Sequence, residues 1–292
     1  GADLCLNAQQ DIWLRVAEHP EILPYVGQEI VFSDGTSVLG ADNKAAVSVV
    51  MTLVENLRGE HGDVVVAFVP DEEIGLRGAK ALDLETRFNV DFAWTIDCCE
   101  LGEVVYECFN GASAEITFTG VPAHPMSGKG VLVNPLLMAH DFIARFDRLA
   151  TPEHTAGREG YIWFNDMQAN ASQAVLKASI RDFDLKGSPR TIRTGHVALK
   201  INDIYSNISN AIGEDRRAID LIFAALQQVG VEPKVIPMRG GTDGSALSAK
   251  GLLTPNFFTG AHNFHSRFEF LPIPSFVKSY QVAEALCYLA AR

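Results

Sequence analysis

The sequence predicts an α/β protein in which a small α+β domain is inserted into a larger one. Three observations predict it. Apolar, β-branched runs alternate with helical stretches near both ends of the chain, which suits a sheet covered by helices on both faces. Between about residues 110 and 207 the strands alternate in polarity, as half-exposed antiparallel strands do. The α/β texture then returns. The expected division is therefore 1–109 and 208–292 for the outer domain and 110–207 for the insert.

Each element has its own signal. Asp34-Gly35 marks a turn. A helix is expected from Ala45 to Leu57, apolar at Val47, Val50, Met51 and Val54. Val64–Val69 is apolar on both faces and predicts a central strand. Pro70 ends it, and Gly75–Ala81 leads into a short helix. Phe92–Ile96 is a second short strand ending at Asp97. In the insert, Ala114–Thr119 alternates, Asn134-Pro135 caps a helix to about Phe146, and Tyr161–Phe164, Ala174–Phe183 and Val197–Ile201 read as strands. That order is nearly a split βαβ pattern. It lacks its second helix, because Leu185–Gly195 is broken by glycine and proline. Beyond it, Glu214–Val229 is a helix with an apolar face at Ile219, Ile222, Phe223, Leu226 and Val229, and Gly230 closes it. Lys234–Pro237 is a short strand. Ser275–Ala290 is a closing helix, apolar at Phe276, Tyr280, Ala283, Cys287 and Ala290.

The composition bounds the function. Of 292 residues, 47% are hydrophobic and 21% charged, the balance of a soluble globular protein. A net charge of −12 argues against nucleic acid and anionic membranes as partners, since both need basic patches. No apolar run approaches membrane-spanning length, and no signal peptide is evident. The five cysteines are odd in number and lack CxxC spacing, which argues against a disulfide framework and favours a reducing cytoplasm.

The chemistry gathers at strand ends. Asp71-Glu72-Glu73 sets three carboxylates side by side. Their repulsion would be relieved by a cation, with one carboxylate ligating and its neighbour handling protons. Alone, the same residues read as a solvated loop or a helix N-terminus. The other candidate ligands are Asp42, Asp97 and His265, and each has a plain alternative: a helix cap, a turn acceptor and an exposed loop histidine. Mixed carboxylate and imidazole ligands suit zinc, manganese or cobalt. Arg239, among glycines, could grip a carboxylate or phosphate or stiffen a turn. Gly240–Gly244 lacks the pattern of a phosphate-binding loop.

Taken together, Leu39–Ala45, Pro70–Gly75 and Thr95–Asp97 resemble the metallopeptidase family M20. Ile180–Asp184, Arg239–Gly244 and Phe258–His265 are similar to its peptidase T branch, the tripeptide aminopeptidases. The matches run in family order from about Gly35 onward. The resemblance implies a zinc-peptidase-like catalytic domain with an inserted ferredoxin-like lid and a dinuclear zinc site. It implies that Asp42 bridges the metals, that Glu73 and His265 complete one, and that Asp97 belongs to the other. Glu72 is then the general base that deprotonates the attacking water. His124, in Ala123-His124-Pro125, is expected to reach the substrate carbonyl, and Arg239 the peptide's C-terminal carboxylate. The implied substrate is a short unblocked peptide, with the lid closing over it. Other M20 activities, a dipeptidase or an N-acyl amino acid deacylase, and a non-catalytic peptide- or metal-binding role are the alternatives. Lids of this family often mediate dimers, so a homodimer is open.

Two departures shape the expectation. The family's upstream His-x-Asp motif is absent, and His19 does not fit it. The Phe183–Val197 stretch is also short. Both point to segments missing from this sequence. The Asp97-side metal is left with two carboxylates, so this chain is expected to hold one metal firmly or none and to be weakly active or inactive. Cys98-Cys99 follows Asp97 where relatives have glycine, and packing is the favoured reading over a soft ligand.

Overall fold

The computed structural model describes residues 3–184 and 190–291. The chain divides into two compact units. The first comprises the residues up to Tyr106, Ala211–Ile236 and those from Thr242 onward. The second comprises Glu107–Asn210 with Pro237–Gly241. The α/β class with an inserted α+β unit is borne out.

The first unit opens with β1 (Leu4–Asn7), β2 (Ile12–Leu14), β3 (Ile30–Phe32), α1 (Ala41–Asn56), α2 (Arg77–Ala81), β4 (Thr95–Ile96) and β5 (Glu103–Val105). The second holds β6 (Asn110–Thr119), α3 (Pro135–Ile143), β7 (Tyr161–Ala169), β8 (Gln173–Asp182), β9 (Arg190–Thr194) and β10 (Val197–Tyr205). The first resumes with α4 (Arg217–Gln228), β11 (Lys234–Val235), α5 (Asp243–Ala249), β12 (Asn256–Phe257), β13 (Phe270–Pro272) and α6 (Ile273–Leu289).

The inserted unit is one antiparallel sheet, ordered β7-β8-β6-β10-β9. β6 and β7 flank β8 and are joined through α3, which is the split βαβ arrangement. Where a second helix would carry the chain between β8 and β10, β9 instead pairs with the edge of β10. The Leu185–Pro189 part of that stretch lies outside the described residues. Asn134 caps α3 as predicted, its side chain accepting from Leu136 N–H at 3.0 Å. α3 buries Ala139 against Ile116, Phe118, Leu176 and Ala178, with Met138 and Phe142 packed around them. The β8 alternation is kept: Leu176 and Ala178 are buried and Lys177 is exposed.

In the first unit a four-stranded sheet runs β11-β5-β12-β4. β12 lies parallel to β4, so Asp97 follows directly on a paired strand. Ala41 and Ala45 of α1 pack with Ala261 and Leu271, beneath the segments that carry Asp42 and His265.

Three expectations fail here. Val64–Val69 is not a strand. Among the described residues no strand lies beside it, its main chain makes no backbone hydrogen bond, and Val64, Val65, Val66 and Phe68 stay exposed. α1 buries Ala45, Val49 and Leu53, while Val47, Met51 and Val54 of the predicted face are exposed. A cavity accounts for the exposed run and for Val47 and Val50 of the helix. Val47, Val50 and the Val64–Val69 run line a cavity of about 830 Å³ together with Trp94 and Leu286, so these side chains meet no packed layer. The third is the face of α6. Of the predicted face Ala283 is buried, but Ser275, Ser279, Val282 and Leu286 are buried beside it, because Ser279 donates from Oγ to Phe258 O (2.8 Å) and small residues let the helix approach.

The loop that carries Glu72 and Glu73 closes on Gly78, whose N–H donates to Pro70 O at 3.1 Å. A Cβ at Gly78 would overlap Pro70 O and sit 2.8 Å from Val69 Cβ. Gly78→Ala should therefore destabilise the chain by about 1–3 kcal/mol in denaturant titration. Gly62→Ala, where an added Cβ meets nothing within 4 Å, should change it little.

Candidate metal centre

The first unit brings Asp42, Glu73 and His265 together. One ligand atom from each lies within 4.8 Å of the others. His265 Nε2 stands 3.0 Å from Asp42 Oδ2 and 2.9 Å from Glu73 Oε1. Around one tetrahedral zinc, ligand atoms at about 2.0–2.2 Å stand roughly 3.3 Å apart, so His265 needs to draw back from each carboxylate oxygen by only a few tenths of an ångström. Asp42's side chain is 13% exposed, against 59% for Glu73 and 63% for His265. An ion there would have one side open to solvent, as a catalytic site requires.

Local structure explains the placement. Asp42 and Asn43 carry non-helical backbone angles at the start of α1, and Gly40 before them is left-handed at φ 70°. Asn43 Nδ2 donates to Ile96 O at 2.7 Å, which ties this turn to the end of β4. Glu269 is 1% exposed, and both its oxygens are engaged. Oε2 accepts from Gly40 N–H (2.6 Å) and Oε1 from Asp42 N–H (3.0 Å). Asn263 and His265 are held at positive φ, 56° and 61°. Asn263 Nδ2 donates to Glu21 Oε1 (2.6 Å) and Phe268 O (3.3 Å), which fixes the histidine loop.

Around the trio lie more carboxyl groups. Asp97 is outside it, and burial together with the charges of Asp42 and Glu72 pushes its carboxyl well above the usual range. Glu72 is pushed up to about 7 by burial, then by Asp243, Glu73 and Asp42. Asp243 is raised to about 6 by burial, and its Oδ1 is buried without a hydrogen-bond partner. Burial pulls the His265 imidazole down, yet Glu73 and Asp42 together hold it above its ordinary value. Such crowding of acid groups against one histidine is what a cation would relieve.

His124 and Arg239 lie in the inserted unit. His124 is exposed and caps the short Pro125–Ser127 turn of 3-10 helix, its Nδ1 accepting from Met126 N–H at 3.2 Å. Arg239 Nη1 donates to Glu159 O (2.8 Å) and Gly157 O (3.2 Å), and Nη2 to Thr155 Oγ1 (2.8 Å). Its guanidinium lies over the rings of Phe109 and Tyr161.

The profile of peptidase family M20/M25/M40 matches residues 40–288. The chain belongs to this family. Its curated relatives place it on the peptidase T branch. It is 66% identical over 308 residues to a peptidase T-like protein of Yersinia pestis, covering 100% of this chain and 75% of that protein. It is 39% identical over 300 residues to peptidase T of Clostridium novyi, covering 97% of this chain and 73% of the relative. The fold is similar to that of a Staphylococcus aureus tripeptidase, at a TM-score of 0.75 and 21% identity over 90% of this chain and 74% of that one.

In this M20 chain, Glu269 and Asp243 are the site-adjacent groups that sequence reasoning did not single out. Glu269 carried a signal, a lone acid in the apolar run Phe268-Glu269-Phe270-Leu271. Asp243 lay within a quoted motif, but nothing in the sequence placed it beside Glu72.

Two outcomes follow. Glu269→Gln keeps one acceptor but turns an N–H₂ group toward a main-chain N–H. Zinc affinity by calorimetry should fall about 10–100-fold. The second concerns pH. Glu72's folded pKa is raised, so its stabilising contribution is full below about 4.5 and lost as pH rises through about 7. In metal-free protein, wild type should therefore lose melting temperature relative to Glu72→Gln across that window.

Proposed function

We propose that this chain is the catalytic part of a zinc-dependent aminopeptidase that releases the N-terminal residue of tripeptides. The observation that carries this reading is the convergence of Asp42, Glu73 and His265 with Glu72 adjoining them. The names of its relatives, peptidase T and peptidase T-like protein, support the substrate class.

Asp42, Glu73 and His265 would hold one zinc, and Asp97 with Asp42 would face a second. Bound there, zinc supplies Lewis-acid polarisation of the scissile carbonyl and acidifies water. Glu72 does the proton work. A carboxylate held beside the metal ligands is placed to accept a proton from the attacking water and return it to the leaving amine. Without a cation, burial and the neighbouring carboxylates raise Glu72 to about 7, and a bound cation would offset the carboxylate part of that rise.

Arg239 is assigned to the peptide's C-terminal carboxylate. Its stacking and carbonyl contacts stiffen the guanidinium, and Nε–H is left without a hydrogen-bond partner among the described residues. His124 is assigned to the substrate carbonyl, a role that rests on the Ala123-His124-Pro125 match alone. Cys5, Cys98, Cys99 and Cys287 are thiols rather than disulfides, which supports the reducing cytoplasm proposed for the protein. Among the described residues no helix is long and apolar enough to cross a membrane.

Metal analysis of the 292-residue chain should find one firmly bound zinc at most, and two tightly held zincs would overturn that count. In protein that turns over, Glu72→Gln should lower kcat by about 10²–10⁴ with zinc content unchanged. Free tripeptides should be cleaved and N-acetylated ones spared. The reverse preference would point to a deacylase of the same family. Binding without turnover, unaltered by Glu72→Gln, would point to a non-catalytic peptide binder.

A further inference from the structure

Cys98 and Cys99 are used neither by the metal trio nor by the proposed hydrolysis. Both stand at positive φ, 40° and 70°, a conformation costing non-glycine residues on the order of 1–3 kcal/mol each. The turn is pinned from the β12 side. Thr259 donates to Cys98 O from N–H and from Oγ1, both at 2.8 Å, and Gly260 N–H donates to Cys99 O at 3.0 Å. Asn256 Nδ2 donates to Asp97 O at 2.8 Å and lies 3.7 Å from Cys99 Sγ. Held this way, the two sulfurs lie side by side, with Sγ···Sγ at 3.3 Å. Cys99 is buried and Cys98 partly exposed, so a reagent has access to one thiol and finds the second beside it.

We propose that Cys98–Cys99 is a chelating dithiol site for trivalent arsenicals. The expected packing role accounts for the burial of Cys99 but not for two sulfurs turned into contact at a strained turn. A disulfide is the poorer product. Neighbouring Cα atoms across a trans peptide are about 3.8 Å apart, short of the roughly 4.4–6.8 Å that disulfides span. A single atom inserted between the sulfurs lengthens the bridge and removes that conflict. With an arylarsine oxide, both S–H bonds break and two As–S bonds form. The arsenic-bound oxygen leaves as water with the two thiol protons, and arsenic stays trivalent. No oxidant is needed.

The second As–S bond closes within the chain, at high effective concentration, so the adduct should outlast any formed by a single thiol. Cys5 on β1 and Cys287 on α6 offer one sulfur each. The dithiol is also chemically distinct from the neighbouring trio, since soft thiols and hard carboxylates select different partners.

The test uses the wild-type 292-residue chain and phenylarsine oxide, read by intact mass and by peptide mapping. One adduct per chain should survive a large excess of glutathione, leave on addition of 2,3-dimercaptopropanol, and map to the peptide containing Cys98 and Cys99. Cys98→Ser and Cys99→Ala should each need roughly a hundredfold more reagent for half-labelling. Circular dichroism reports whether the variants fold, and the wild-type map stands whatever they do. An adduct stripped by glutathione, one mapping elsewhere, or labelling unchanged in both variants would overturn the proposal. So would a Cys98–Cys99 disulfide formed in place of the adduct.

Discussion

The centre depends on one buried carboxylate that touches no metal. Glu269 sends one oxygen to Gly40 N–H and the other to Asp42 N–H. It stands four residues after His265, so it joins the histidine loop to the aspartate turn directly. A buried anion is tolerated only when it is fully hydrogen-bonded. Here the main chain supplies that satisfaction, and in return the carboxylate fixes the path of two segments far apart in sequence. The small residues beneath, Ala41, Ala45 and Ala261, let the two backbones approach closely enough for this to happen.

Around that frame the fold concentrates negative charge. Asp42, Glu72, Glu73, Asp97 and Asp243 crowd together, and Glu73 and Asp42 hold the His265 imidazole above its ordinary value. Without a cation the cluster holds extra protons. The same repulsion raises affinity for a divalent ion, which would take the place of those protons. Stability and chemistry are opposed at this spot, as they often are where strained backbone and unpaired charge gather.

Much of this was legible in the residues. The Asp42, Glu73 and His265 triplet could be named because three short motifs kept their order and spacing. α3 could be read from its Asn-Pro start, and β8 from its alternation. What escaped was decided by tertiary neighbours. Val64–Val69 has every local mark of a central strand, but a strand needs a partner backbone beside it. The apolar faces assigned to α1 and α6 were read from residue type, whereas burial follows what packs against them, and serines can be buried while valines are not. β9 escaped because Gly and Pro in the preceding stretch mask a run that pairs only through β10. Glu269 and Asp243 look like ordinary surface acids until the chain is folded around them.

The unpaired Val64–Phe68 run has a consequence of its own. It is uncharged and largely β-branched, its main chain has no backbone partner among the described residues, and Val47 and Val50 of α1 line the same cavity. Such a segment is a template for strand addition from any extended chain, including another molecule of the same kind. The net charge of −12 sets such molecules against one another, yet these five residues carry no charge of their own. Net repulsion slows encounters between molecules, and the run offers an unpaired main chain to whatever extended segment arrives.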